Sequence, residues 1–82
     1  MTSFDDVLAR VIGVIARTFS IGDTSAIGPQ TTSAHVAGWD SLSHAILLMH
    51  LEEEFGRDLP LDRATGARDV GELARVVQDA LR

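Results

Sequence analysis

Asp40, Ser41 and His44 bring an acid, a hydroxyl nucleophile and a base together within five positions. Those are the residue types of a serine hydrolase, in which a histidine takes the serine proton and an acid orients the histidine. Closeness along the chain is not triad geometry. The stretch reads Gly38-Trp39-Asp40-Ser41-Leu42, without Gly-x-Ser-x-Gly, and no strand pattern supplies a nucleophile elbow or an oxyanion hole. The other chemistry open to Ser41 is to be modified. If Asp40 caps a helix, Ser41 falls in its first turn, where unpaired N–H groups and the positive end of the helix dipole favour an anionic ester on the hydroxyl. A serine at a helix start is more often a structural cap than a modification site, so the surrounding pattern has to decide.

The remaining inventory is short. There is no cysteine, hence no disulfide framework, thiolate zinc site or cysteine nucleophile. His35, His44 and His50 complete no recognised ligand spacing, and no metal site is expected. With 82 residues the chain is one small domain, 1–82, too short for a barrel or a dinucleotide-binding fold. The start is acidic and no apolar run approaches the ~18 residues of a membrane span, so a soluble, cytoplasmic monomer is expected. Twelve acidic side chains against seven arginines give a net charge of −5, which disfavours nucleic acid and anionic membranes and favours partners with basic patches. The charge is concentrated: Asp40, Glu52, Glu53 and Glu54 place −4 in residues 40–56, leaving −1 over residues 1–39 and balance over 57–82.

The elements that must position Ser41 follow from periodicity. Phe4, Val7, Leu8, Val11, Ile12, Ile15 and Phe19 trace one face of a helix over about 4–19, with Ser3 as its cap. Residues 20–39 form a long loop anchored by Ile21, Ile27, Val36 and Trp39, and Trp39 is expected to pack the loop end against the bundle. A second helix runs from the Asp40 cap to Phe55 and stops at Gly56. Residues 62–65 make a short helical turn before Gly66. Asp69 with Glu72 resembles a capping box opening a last helix that carries Val70, Leu73, Ala74, Val77 and Leu81 on one face. The expected fold is all-α: three main helices plus a short one, with the long loop between the first two.

At 100° per residue, the second helix carries apolar residues on two sides. Leu47, Leu48, Leu51 and Phe55 form the natural core arc. Leu42, Ala45, Ile46 and Met49 form another arc beside Ser41, flanked by Glu52 and Glu53. Either the last helix or the loop covers this second arc, or it is a partner-binding stripe with an acidic rim.

Taken together, Gly38-Trp39-Asp40-Ser41-Leu42, then Leu51-Glu52-Glu53-Glu54-Phe55-Gly56, then Leu59-Pro60 resemble the acyl carrier proteins and the related peptidyl carriers. The resemblance extends over essentially the whole chain in helix order and loop placement. It implies an acyl-carrier-like four-helix bundle in which Ser41 receives 4′-phosphopantetheine from coenzyme A. The attachment is a phosphodiester made by a separate, divalent-metal-dependent phosphopantetheinyl transferase. The carrier is then a substrate, not an enzyme, and the arm's thiol holds acyl groups as thioesters. The resemblance further implies that Asp40 and Leu42 border the attachment site. Leu42, Ala45, Ile46, Met49, Glu52 and Glu53 would meet the transferase, acyl- or aminoacyl-loading enzymes, and ketosynthase- or acyltransferase-type enzymes with basic docking patches. Housekeeping fatty-acid carriers usually have acidic residues where this chain has Ser43 and Ile46. That departure points to polyketide or other specialised biosynthesis, with an aminoacyl carrier or an unmodified helical interaction module as alternatives. A bound acyl chain is expected in the gap between the second and last helices, lined by Leu47, Leu51 and Val70.

Overall fold

The computed structural model describes residues 3–82; Met1 and Thr2 lie outside the described residues. Four helices follow one another, α1 (Phe4–Phe19), α2 (Ser41–Phe55), α3 (Leu61–Gly66) and α4 (Val70–Ala80), with a 3₁₀ turn at Ser33–His35 in the loop before α2. There is no strand among the described residues. The chain is an all-α four-helix bundle, as expected, with one further turn that periodicity does not signal.

Each long helix is bounded by local chemistry. The Ser3 hydroxyl accepts from the Asp6 N–H at 3.1 Å, Asp5 and Asp6 lie at the positive end of the α1 dipole, and Arg17 lies at the negative end. α1 closes on Ser20, which takes a left-handed conformation (φ 56°) while the Ala16 carbonyl accepts from the N–H groups of Ser20 and Ile21. Gly56 closes α2 in the same region at φ 65°, where a glycine carries no Cβ penalty. Asp69 caps α4 by accepting from the Glu72 N–H at 2.8 Å. The returning half of the expected box lands one residue upstream, since Glu72 accepts from the Arg68 N–H at 3.0 Å rather than from that of Asp69. The short helix begins one residue earlier than its sequence pattern indicates, because Leu61 directly follows Pro60, whose carbonyl accepts from the Ala64 N–H at 2.9 Å.

α1 packs against both α2 and α4, and α3 bridges α2 and α4 on the other side; no α-carbon of α2 lies within 8 Å of one in α4. The core is Val7, Val11, Val14 and Ile15 from α1, Leu47, Leu48 and Leu51 from α2, and Val70, Leu73, Ala74, Val76 and Val77 from α4, closed by Leu59 and Ala64. Because α1 is gripped from two sides, its buried stripe is rotated from the one its sequence suggests. Val14 is buried, while Phe4, Leu8, Ile12 and Phe19 are only partly covered.

The long loop has a structural task. Carbonyls of Pro29 and Thr31 accept from the first-turn N–H groups of α4, Gly71 to Pro29 at 2.7 Å and Val70 to Thr31 at 2.9 Å. The buried Thr31 hydroxyl in turn accepts from the Gly28 N–H at 2.9 Å. At its far end Trp39 stacks on Phe19 at 5.2 Å and on His44 at 5.9 Å between ring centroids, so it packs the loop onto the bundle as expected.

Candidate functional site

The head of α2 is fixed by a network that leaves one hydroxyl out. The Asp40 carboxylate accepts from the Ser43 N–H at 2.9 Å. The Ser43 hydroxyl accepts from the Asp40 N–H at 2.8 Å and donates to the Gly38 carbonyl at 2.7 Å. The Ser43 N–H, and secondarily its hydroxyl, hold the Asp40 carboxyl below the usual carboxylate range, so Asp40 is ionised when it caps. Two serines two positions apart therefore differ in employment. Ser43 belongs to the cap; Ser41 is exposed, and among the described residues no hydrogen bond engages its hydroxyl. The positive end of α2 still faces Ser41, although Asp40 already occupies the Ser43 N–H and so takes part of what the terminus offers an anion.

His44 does not complete a triad. Its Nδ1 accepts from the Trp39 indole N–H at 2.9 Å, and its Nε2 lies 3.0 Å from the Ala64 carbonyl oxygen. Indole nitrogen only donates, so Nδ1 carries the lone pair and Nε2–H donates to Ala64. Both ring nitrogens are thus committed, one to the loop and one to α3, and neither serves Ser41 or Asp40. His50 pairs with the Thr18 hydroxyl at 2.9 Å, and His35 accepts from the Thr32 N–H at 3.0 Å. Among the described residues no group of three His, Cys, Asp or Glu side chains is placed to hold a metal ion.

A cavity of about 370 Å³ opens beside Ser41, lined also by Trp39, His44, Thr65, Ala67, Arg68 and Leu73. Leu47, Leu51 and Val70, the lining expected for a bound acyl chain, are fully buried in the core, whereas this cavity is lined by the head of α2, the α3–α4 turn and Leu73 of α4. Thr65, Ala67 and Arg68 escape a reading of the sequence because no local pattern marks them. Only the turn of the chain after α3 brings them to the head of α2.

The second apolar arc of α2 is uncovered. Leu42 is 74% exposed, Met49 58% and Ile46 41%, and Ala45 between them is also exposed. Neither α4 nor the loop covers it. The acids flanking it have separate employments. Glu52 turns back to accept from the Leu59 N–H at 2.9 Å. Glu54 accepts from Arg17 at 2.9 Å and from Arg10 at 3.1 Å, and these arginines hold its carboxyl below the usual range, Arg17 foremost. Glu53 is exposed and, among the described residues, makes no ion pair.

A helical bundle in this order, with an exposed and unbonded serine at the capped head of its second helix, has the form of a carrier domain. The family described as phosphopantetheine attachment site matches residues 9–77, and the chain belongs to that family. It is also similar to the acyl carrier proteins of three Helicobacter pylori strains, G27, HPAG1 and ATCC 700392 / 26695. Each is 32% identical over 79 residues, covering 96% of this chain and 95% of the relative. Members of this family are carriers and not catalysts, in keeping with a His44 that is bonded away from Ser41. Among the described residues no helix is long and apolar enough to cross a membrane.

Proposed function

We propose that Ser41 is the attachment point of a 4′-phosphopantetheine arm and that residues 1–82 act as one carrier domain, delivering acyl groups between enzymes of a polyketide or other specialised pathway. The observation that carries this reading is the division of labour at the head of α2, where Asp40 and Ser43 make the cap and leave the Ser41 hydroxyl exposed and unbonded. When attached, such an arm supplies a thiol that holds acyl groups as thioesters. The residues present suit it. Ser41 offers the ester oxygen, the α2 terminus faces the phosphodiester with its positive end, and Arg68 lines the same cavity as a cation. Leu73, Ala67 and Trp39 give the cavity apolar walls for the proximal part of a cargo. Acyl cargo is favoured by the similarity to acyl carrier proteins, and a specialised pathway by Ser43 and Ile46 at positions usually acidic in housekeeping carriers. The enzymes expected at this surface are a phosphopantetheinyl transferase and acyl-loading and acyl-processing enzymes.

Incubation with coenzyme A, Mg²⁺ and a broad-specificity phosphopantetheinyl transferase tests the assignment by intact mass. One phosphopantetheinyl group is expected on the wild type and none on Ser41→Ala, with the two proteins melting alike because Ser41 is not part of the cap. Addition to Ser41→Ala, or none to the wild type while a control carrier is modified, rejects it.

A further inference from the structure

We propose that protonation of His44 releases Trp39 from α2 and opens the cavity beside Ser41 toward the long loop. The bond between the two rings exists in one protonation state. Indole nitrogen donates and has no lone pair to accept with, so the 2.9 Å contact requires a bare Nδ1 on His44. Nε2 then holds the ring hydrogen and donates it to the Ala64 carbonyl oxygen at 3.0 Å. A proton arriving from solvent binds this ring at Nδ1. There it sets two N–H donors against each other at a distance that suits a donor and an acceptor. The Ala64 bond responds in the opposite sense, because a cationic donor strengthens it. His44 therefore stays with α3 and lets go of the loop.

The backbone on both sides of Trp39 is pinned, since the Ser43 hydroxyl donates to the Gly38 carbonyl and accepts from the Asp40 N–H. Release is thus a swing of the half-buried ring and leaves the α2 cap in place. On one side Trp39 and His44 line the Ser41 cavity. On the other, Phe19, the ring stacked behind Trp39, lines a hollow of about 940 Å³ formed with Ile21, Ile27 and Val36 of the long loop. A swing of Trp39 joins the two spaces. The charged groups that line the cavity with His44 are Asp40 from the head of α2 and Arg68 and Asp69 from the α3–α4 turn, while α1 reaches the pair through the uncharged Phe19 ring. Arg68 is itself paired with Glu72 at 3.4 Å. Carboxyl and guanidinium groups ordinarily titrate outside pH ~5–8, the range in which histidine changes charge. The closed arrangement binds one proton fewer than the open one, so linkage favours opening as pH falls.

Trp39 is the sole tryptophan and the chain has no tyrosine, so its indole N–H gives one resonance and its emission one signal. The unmodified chain is titrated from pH ~8 to ~5 and followed by NMR and fluorescence. Imidazole nitrogen shifts should place the hydrogen of neutral His44 on Nε2, and the indole resonance should move with the same midpoint as the His44 ring. Acrylamide quenching of Trp39 should rise about twofold across that midpoint, as a half-buried ring reaches solvent. In His44→Asn, whose amide oxygen accepts from the indole and gains no proton, both Trp39 signals should stay flat. An indole resonance indifferent to pH, a midpoint apart from that of His44, or hydrogen on Nδ1 of the neutral ring overturns the proposal. So does an unchanged response in His44→Asn, which would assign the effect to another group such as His35. If His44→Asn fails to fold, the coincidence of the two midpoints in the wild type decides alone. Ser41 carries nothing in these measurements, so a failed release leaves the attachment site standing, and a failed loading leaves the release standing.

Discussion

The two sides of the bundle are built from different forces. Where α1 meets α2 and α4, contact is almost wholly aliphatic, with Val7, Val11, Ile15, Leu47, Leu51, Val70 and Val77 all fully buried. Where α3 and the long loop span the gap between α2 and α4, polar ties accompany the buried Ala64 and the stacked Trp39: His44 to the Ala64 carbonyl, Arg63 to Asp79 at 2.9 Å, and the Pro29 and Thr31 carbonyls to the head of α4. Hydrophobic burial is not directional and scales with area, so it can store stability far from Ser41. Hydrogen bonds and exposed ion pairs contribute less each but fix positions. A carrier needs a durable body and a site whose surroundings can yield to cargo and partner. Here the two demands fall on opposite sides of α2.

Leucine-to-alanine replacements on the two sides of α2 give the largest contrast. Leu47 is fully buried, so Leu47→Ala removes packed methyls and leaves a cavity, at a cost of about 3 kcal/mol in urea denaturation. Leu42→Ala, on the exposed arc, should change stability by less than ~0.5 kcal/mol. Equal losses would mean that the exposed stripe is part of the folding core in solution, and the comparison would fail.

Two helical glycines sharpen it next, with opposite signs. A Cβ on Gly71 would lie 2.9 Å from the Pro29 carbonyl oxygen and 3.0 Å from the Pro29 Cβ, where the loop docks on α4. Gly71→Ala should therefore cost roughly 1–2 kcal/mol and loosen the loop, seen as faster amide exchange at Val70 and Gly71. Gly13 in α1 has no atom within 4 Å of such a Cβ, so Gly13→Ala gains helix propensity and should stabilise by about 0.5–1 kcal/mol. A stabilised Gly71→Ala would show that the loop does not bear on α4 in solution.

The same division explains what the sequence reveals. α1 and α2 are legible to the residue because their caps are local: Ser3 to Asp6, Asp40 to Ser43, Gly56 at the stop. The core arc of α2 is legible because Leu47, Leu48 and Leu51 follow helical spacing. Contacts between distant segments leave no such trace. Nothing near Glu52 says that its carboxylate closes the α2–α3 connection on Leu59, and nothing near Thr32 announces the 3₁₀ turn. Ser41 itself is marked by its motif. That its hydroxyl is free, because Ser43 takes the capping role beside it, is visible only in three dimensions.

Glu54 supplies the smallest effect and the one that tests whether polar ties matter on the packed side as well. Its carboxylate joins α2 to α1 through Arg17 and Arg10, and those bonds hold its pKa below the ordinary value of 4.5. A carboxyl whose folded pKa is depressed contributes stability that is fully present above the unfolded value. That contribution is lost as pH falls through the folded value, since the unfolded chain then binds the proton more readily. Glu54→Gln keeps the shape of the side chain and leaves the Arg10 bond to the Glu54 carbonyl oxygen, at 3.1 Å, available. Its melting temperature should lie slightly below wild type near pH ~7, and the difference should close as pH is lowered past 4.5. Salt should narrow the same difference at neutral pH, because both arginines are substantially exposed. A gap that persists unchanged into acid would assign the loss to packing of the side chain. The Glu54 ion pairs would then add nothing measurable to the aliphatic contact between α1 and α2.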